Sequence, residues 1–327
     1  MTAKLRQILF SVCAIVLAAI FIWLTLRQTD FQVLKQAASE ANYFWFLLSM
    51  AISIFSYWLR AKRWQLLSEP IGHPFSAKAG FWAISFAYFM NLTIPRSGEI
   101  ARATSLYKME KVPVDKSLGI VVLERVIDVL FLGFFFLLTF LFNADTLTSF
   151  LSMSEGKSYD KFIYAGVAFI VLVTGIYLIR NQLKKLPFFQ KIAEFIKGIL
   201  IGVQSIMHLK KRGLFIFYSF AIWTCYFFMT YLVFFAFPAT SHFGLAEGFF
   251  LIVAGALGMI LPAVGGLGYP YVMSLAFTAM YISNGQSGDE GKMVGNYFGL
   301  LLYFAQVISI LIFGILAFYF MPRISKS

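Results

Sequence analysis

The chain has 327 residues and a mean hydropathy of +0.79; 60% are hydrophobic, 19% aromatic and only 13% charged, about half the charge of an average soluble domain. This composition excludes a soluble enzyme of similar length and points to one all-α membrane unit over residues 1–327, with no room for a sizeable soluble domain. The net charge of +12 is read as cytoplasmic loops facing anionic headgroups, so no nucleic-acid partner is expected.

In chain order, the first apolar segment, 8–26, follows Lys4 and Arg6. It is too long for a signal-peptide core and lacks a small-x-small cleavage site, so it reads as a retained helix. Further spans are predicted at 43–59, 118–142, 162–179, 213–237 and 296–320, lengths that match a hydrocarbon core of roughly 30 Å. Two other apolar stretches are broken. One, 76–94, stops at Pro95; the other, 244–283, is interrupted by LPAVGGLGYP at 261–270.

Lysines and arginines set the orientation. The stretches 1–7, 60–78, 95–117, 180–212 and 321–327 together hold 21 of the 27, the opposite connections hold five, and Arg125 is the last. Both termini are therefore expected in the cytoplasm. Since 60–78 and 95–117 lie on the same side, the stretch between them should enter the membrane and return. The second broken stretch should do so from the other side, or form two full spans meeting at a cytoplasmic tip. The expected architecture is six spans plus two oppositely oriented re-entrant hairpins, or eight spans plus one. The halves, roughly 1–160 and 161–327, run in opposite directions, the inverted-repeat plan of many transporters. Between spans, residues 181–212 read as a basic amphipathic helix in the cytoplasmic interface or packed as scaffold.

Chemistry concentrates in two places. Glu124, Arg125 and Asp128 interrupt an otherwise apolar helix, with Glu124 and Asp128 one turn apart and Arg125 paired to Asp128 at i,i+3. Charges at membrane depth face a polar cavity or a partner, so these mark either a site or a structural ion-pair network. In NLTIPRSGEIAR (91–102), Pro95 ends a helix. Ser97 is then placed to cap a short returning helix that carries Glu99 and Arg102. Arg96, Arg102 and Arg125 are thus predicted to converge with Glu99, Glu124 and Asp128 in a cavity for a lipid phosphate headgroup, which arginine recognises through its planar fork. Cys13 and Cys225 lie in apolar runs, and His73, His208 and His242 show no ligand spacing. No metal, cofactor or catalytic residue is expected. Glu247 has no obvious partner.

PRSGEIAR (95–102), LERVID (123–128) and LPAVGGLG (261–268), in this order, resemble the transmembrane region of lysylphosphatidylglycerol synthases, which also occurs alone in flippase-like proteins. The resemblance covers nearly the whole chain and places Gly98, Glu99, Arg102, Glu124, Arg125 and Asp128 at the family's polar positions. It implies translocation of a phospholipid or polyprenyl-linked headgroup across the bacterial cytoplasmic membrane. Pro95 and Gly98 in the first hairpin, and Pro262, Gly265, Gly266, Gly268 and Tyr271 in the second, would form the turns or gates. Two departures stand out. The chain ends at Ser327 without the synthases' soluble aminoacyl-transfer domain, so lysine transfer is not expected of this polypeptide. Many relatives carry a glutamate where this chain has Tyr271, and an arginine in the last span where only Tyr303 and Gln306 are polar. The outer half of any pathway should therefore be less charged. Two alternatives remain open: an accessory subunit presenting lipid to a separate transferase, and an enzyme using Glu124 or Asp128 as base.

Overall fold

In the computed structural model, residues 31–94, 97–154, 209–260 and 268–324 are described. The expected spans 8–26 and 162–179, the amphipathic helix up to residue 208, and Pro95, Arg96, Pro262, Gly265 and Gly266 lie outside them. Among the described residues all regular structure is helical: α1 (Phe31–Glu40), α2 (Tyr43–Ser68), α3 (Ala77–Thr93), α4 (Gly98–Glu110), α5 (Val114–Phe142), α6 (Ala144–Ser154), α7 (Arg212–Tyr231), α8 (Leu245–Ile260), α9 (Gly268–Ser283) and α10 (Gly288–Ile324).

Three segments are long and apolar enough to cross a membrane: Tyr43–Ile71, Arg212–Ala236 and Gly288–Ile324. A fourth is obtained if α5 and α6, bent by 106° at their junction, are taken as one. These correspond to the spans predicted at 43–59, 213–237, 296–320 and 118–142. One boundary needs correcting. Helix α2 does not stop at residue 59 but runs on to Ser68, because Trp64, Leu66 and Leu67 continue the buried apolar face past the arginines. Arg60 and Arg63, read from sequence as charges of a cytoplasmic loop, are buried in that helix. Lys62 and Lys78 remain as the basic residues of 60–78 with some exposure.

Helix ends are set locally. The Asn42 side chain accepts the Phe44 N–H (3.1 Å) to start α2, and Ser76 accepts the Ala79 N–H (3.2 Å) to start α3, as N-cap residues do. Lys111, at φ 58°, ends α4 in the left-handed turn that commonly closes a helix. Two contacts fix α2 and α7 as an antiparallel pair: Asn42 N–H donates to the Ala236 carbonyl (2.9 Å) at one end, and Lys211 pairs with Glu69 (3.2 Å) at the other.

Both broken stretches are hairpins. The Ser76 N–H at the start of α3 donates to the Glu110 carboxylate at the end of α4 (3.2 Å), so this hairpin returns to the end of the bundle where α2 finishes. In the second, the far ends of α8 and α9 meet through the rings of Phe243 and Tyr281, 6.0 Å apart, and Tyr281 donates to the Ala239 carbonyl (3.2 Å). This hairpin opens where α7 finishes, at the opposite end. Helix α10 packs against α9 along its first half, through Gly291, Gly295 and Gly299, and against Phe89 of α3 along its second, through Gly314.

The buried side chains form two main groups. Phe234, Phe250, Phe277 and Phe298 centre the one around the second hairpin; Trp64, Ile84, Leu106 and Met109 centre the one around the first. Outward-facing apolar side chains are abundant. On α5 alone, Val129, Leu130, Leu137, Phe140, Leu141 and Phe142 are all more than half exposed, the surface expected of a helix bathed in lipid.

Candidate functional site

The site forms where α2, α4 and α5 approach one another. On α5, Glu124 and Asp128 are one turn apart and share a face, as their spacing requires. Helix α4 reaches them because it lies unusually close to α3. A Cβ added to Gly98 would stand 2.4 Å from the Ala87 carbonyl and 2.6 Å from the Asn91 amide, so only glycine fits there. Its N–H donates to the Asn91 side chain (2.7 Å). Ser97 does not cap α4 as predicted. Its hydroxyl donates backward to the carbonyls of Ile94 (2.7 Å) and Met90 (3.0 Å), and of the N–H groups in the first turn of α4 it is that of Gly98 which the Asn91 side chain accepts.

Six charged side chains form an alternating ladder. Arg102 Nη2 donates to Glu124 Oε2 at 2.6 Å. The other Glu124 oxygen stands 3.8 Å from Arg63 Nε, with neither atom in a hydrogen bond. Arg63 turns both terminal nitrogens to one Asp128 oxygen, each at 3.1 Å. The second Asp128 oxygen lies 3.2 Å from Arg125 Nη2, and Arg125 Nε lies 3.8 Å from Glu99. The ladder grades from dry to wet: the Arg63 and Glu124 side chains are fully buried, Asp128 is 19% exposed, and Arg125 and Glu99 are about half exposed. At the dry end the Arg102 guanidinium also sits 4.5 Å above the Trp64 ring, a cation–π contact that desolvation strengthens.

Of the residues predicted to converge, Glu99, Arg102, Glu124, Arg125 and Asp128 do. Arg63 was not anticipated and is central, since among the described residues it is the one that pairs with both Glu124 and Asp128. Its signal was available: the apolar run resumes at Trp64–Leu67, so a helix there had to continue, and Arg60 and Arg63 fall on one face of it. Arg60 lies one turn from Arg63 and donates to the hydroxyls of Tyr88 and Tyr226 (3.4 Å to the latter). In the second hairpin, Gly268 is buried at the start of α9, while Tyr271 is 62% exposed on its outer face. Glu247 does have a partner: it accepts the Gly244 N–H (2.8 Å) and caps α8.

A protein-family model described as the lysylphosphatidylglycerol synthase TM region matches residues 11–310. The chain belongs to that family. The match takes in the whole ladder and both hairpins and ends within α10. Searches of curated proteins and of solved structures each found no match.

Proposed function

We propose that this protein moves a phospholipid or a lipid-linked anionic headgroup across the bacterial cytoplasmic membrane, without chemical conversion of the lipid. The observation that carries this reading is the graded ladder. A purely structural ion-pair network gains nothing from an accessible end, whereas a binding site requires one. Arg125 offers its guanidinium at that end, held by Glu99 and Asp128 while empty, and a phosphate can replace either carboxylate with two charge-assisted hydrogen bonds. The buried inner rungs keep the desolvated part of the site in register for the exchange. Family membership supports a lipid-related role. Hairpins that open toward opposite ends of the bundle support two halves of inverted direction, the plan of many transporters, and the distribution of lysine and arginine supports cytoplasmic termini.

The test is translocation of headgroup-labelled lipids in proteoliposomes, scored by dithionite quenching, with anionic, zwitterionic and polyprenyl-linked lipids and with or without a membrane potential. Wild type should move an anionic lipid. Arg125→Gln should slow it by about tenfold, the loss of one or two charge-assisted bonds. Equal rates in the two proteins, or no movement of any lipid by folded wild type, would overturn the reading.

A further inference from the structure

One turn from the ladder on α2, Arg60 occupies a different environment. It is 8% exposed, and among the described residues no carboxylate lies within 4.0 Å of it; Glu124 and Asp128 act on it only from farther away. Its terminal nitrogen Nη1 donates to the hydroxyls of Tyr88 and Tyr226, and its Nε, fully buried, has no hydrogen-bond partner. Tyr88 is held in place by Tyr57, whose ring stacks on it at 4.5 Å. Arg60 lies roughly 12 Å along α2 from the helix end, and Tyr88 and Tyr226 roughly 16 and 21 Å along α3 and α7 from theirs, at 1.5 Å per residue. All three helix ends are at the same end of the bundle, Arg60 lies one turn farther along α2 from that end than Arg63, and the Arg60 side chain meets Tyr88 and Tyr226 through its hydrogen bonds.

Hydroxyls satisfy hydrogen bonds but not charge. The described residues of the ladder and of this chamber bring together four guanidiniums (Arg60, Arg63, Arg102, Arg125) and three carboxylates (Glu99, Glu124, Asp128), so one positive charge is left over, and Arg60 is the cation without a paired anion. Leaving a charge so buried and unpaired is costly. A tyrosine oxygen that accepts from Arg60 still has its own proton to donate. We propose that Arg60, Tyr88 and Tyr226 form a second anion subsite, deeper than Arg125, that receives one singly charged phosphodiester oxyanion. Nε of Arg60 and the two phenolic O–H groups are its donors. The single surplus charge selects a monoanion such as a phosphodiester over a doubly charged phosphomonoester. Arg125 then captures the headgroup at the exposed end, and Arg60 holds it farther along. The subsite rests on the transport reading only in naming the anion as part of a travelling lipid.

The experiment uses the purified full chain and counts bound lipid by native mass spectrometry. Phosphatidylglycerol, phosphatidic acid and phosphatidylcholine are added in turn, and dimethyl phosphate serves as a soluble competitor. Melting temperatures are recorded in parallel. Wild type should retain phosphatidylglycerol in preference to phosphatidic acid, a phosphomonoester, and to phosphatidylcholine, whose quaternary ammonium cancels the phosphodiester charge that Arg60 needs. Arg60→Gln should reduce that retention about tenfold and Tyr226→Phe severalfold, with no fall in melting temperature, because neither change strands a buried carboxylate. Competition by dimethyl phosphate would assign recognition to the phosphodiester itself; lack of competition would assign it to the intact lipid. Unchanged phosphatidylglycerol retention in both variants would overturn the subsite. So would a marked loss of stability in Arg60→Gln together with wild-type retention in Tyr226→Phe, because Arg60 would then be a structural group. The two readings fail separately. Arg60-dependent binding without translocation sinks transport and keeps the subsite, whereas translocation at the wild-type rate by Arg60→Gln does the reverse.

Discussion

The two hairpins share one shape and differ in what holds them. The first, α3–α4, approaches α5 and α2 with charge: Arg102 and Glu99 enter a ladder whose inner rungs are dry. The second, α8–α9, is held by absence of side chains. A Cβ on Gly258 would lie 2.9 Å from the Tyr269 Cα, and one on Gly295 2.7 Å from the Ser274 Cα, close backbone approaches of the kind that pack helices where lipid offers no hydrophobic drive. Polar groups capable of holding an anion therefore collect around the first hairpin, and the second supplies a tight counterpart whose charged residue, Glu247, is spent on capping α8.

This contrast can be broken most severely at Glu124. Glu124→Gln leaves Arg63 and Arg102 buried without their shared anion, and about 3–5 kcal/mol of stability should be lost. Thermal unfolding in detergent, followed by loss of folded protein on a sizing column, reads it; a shift of only a degree or two would mean that the inner rungs carry little. Matched glycine substitutions sharpen the comparison at intermediate size. Gly98→Ala and Gly295→Ala each force a methyl group into backbone or amide atoms and should cost about 1–3 kcal/mol. Gly98→Ala, which displaces α4 and with it Arg102, should also lower anionic-lipid binding. Gly295→Ala, which lies against Met273, Ser274 and Phe277 of α9 and not against the ladder, should leave equilibrium binding unchanged, and equal effects on binding would dissolve the distinction between the hairpins. The smallest effect on stability belongs to Arg125→Gln. Its ion pairs are half exposed, and solvent screening limits their worth to within about 1 kcal/mol, so its melting temperature should stay near wild type while lipid transport falls.

Much of this was legible in the sequence because membranes punish exceptions. Glu124, Arg125 and Asp128 are conspicuous in an apolar helix, and a proline at 95 marks in the sequence where an apolar run must stop. Arg60 and Arg63 were harder to place. They stand near the end of an apolar run, beside Lys62, where basic residues ordinarily mark a cytoplasmic loop; only the return of Trp64, Leu66 and Leu67 shows that the helix persists. The Ser97 cap failed for a different reason. Local preference favoured it, but the Ser97 hydroxyl is drawn back to the carbonyls of Met90 and Ile94 at the end of α3, and tertiary proximity prevailed. Tyr88 and Tyr226 carry no local pattern, since their meeting with Arg60 depends on how three separate helices pack.

Helix α10 has a mechanical implication. Its 37 residues make an unbroken rod about 55 Å long, gripped by the second hairpin along one half and by the first hairpin at Gly314 and Phe89 along the other. A stiff beam held at two points is a lever: loosening one grip changes the angle presented at the other. A change of packing beside α3 would thus be felt at α9 through the tilt of one rod, whose charged residues stand near its two ends.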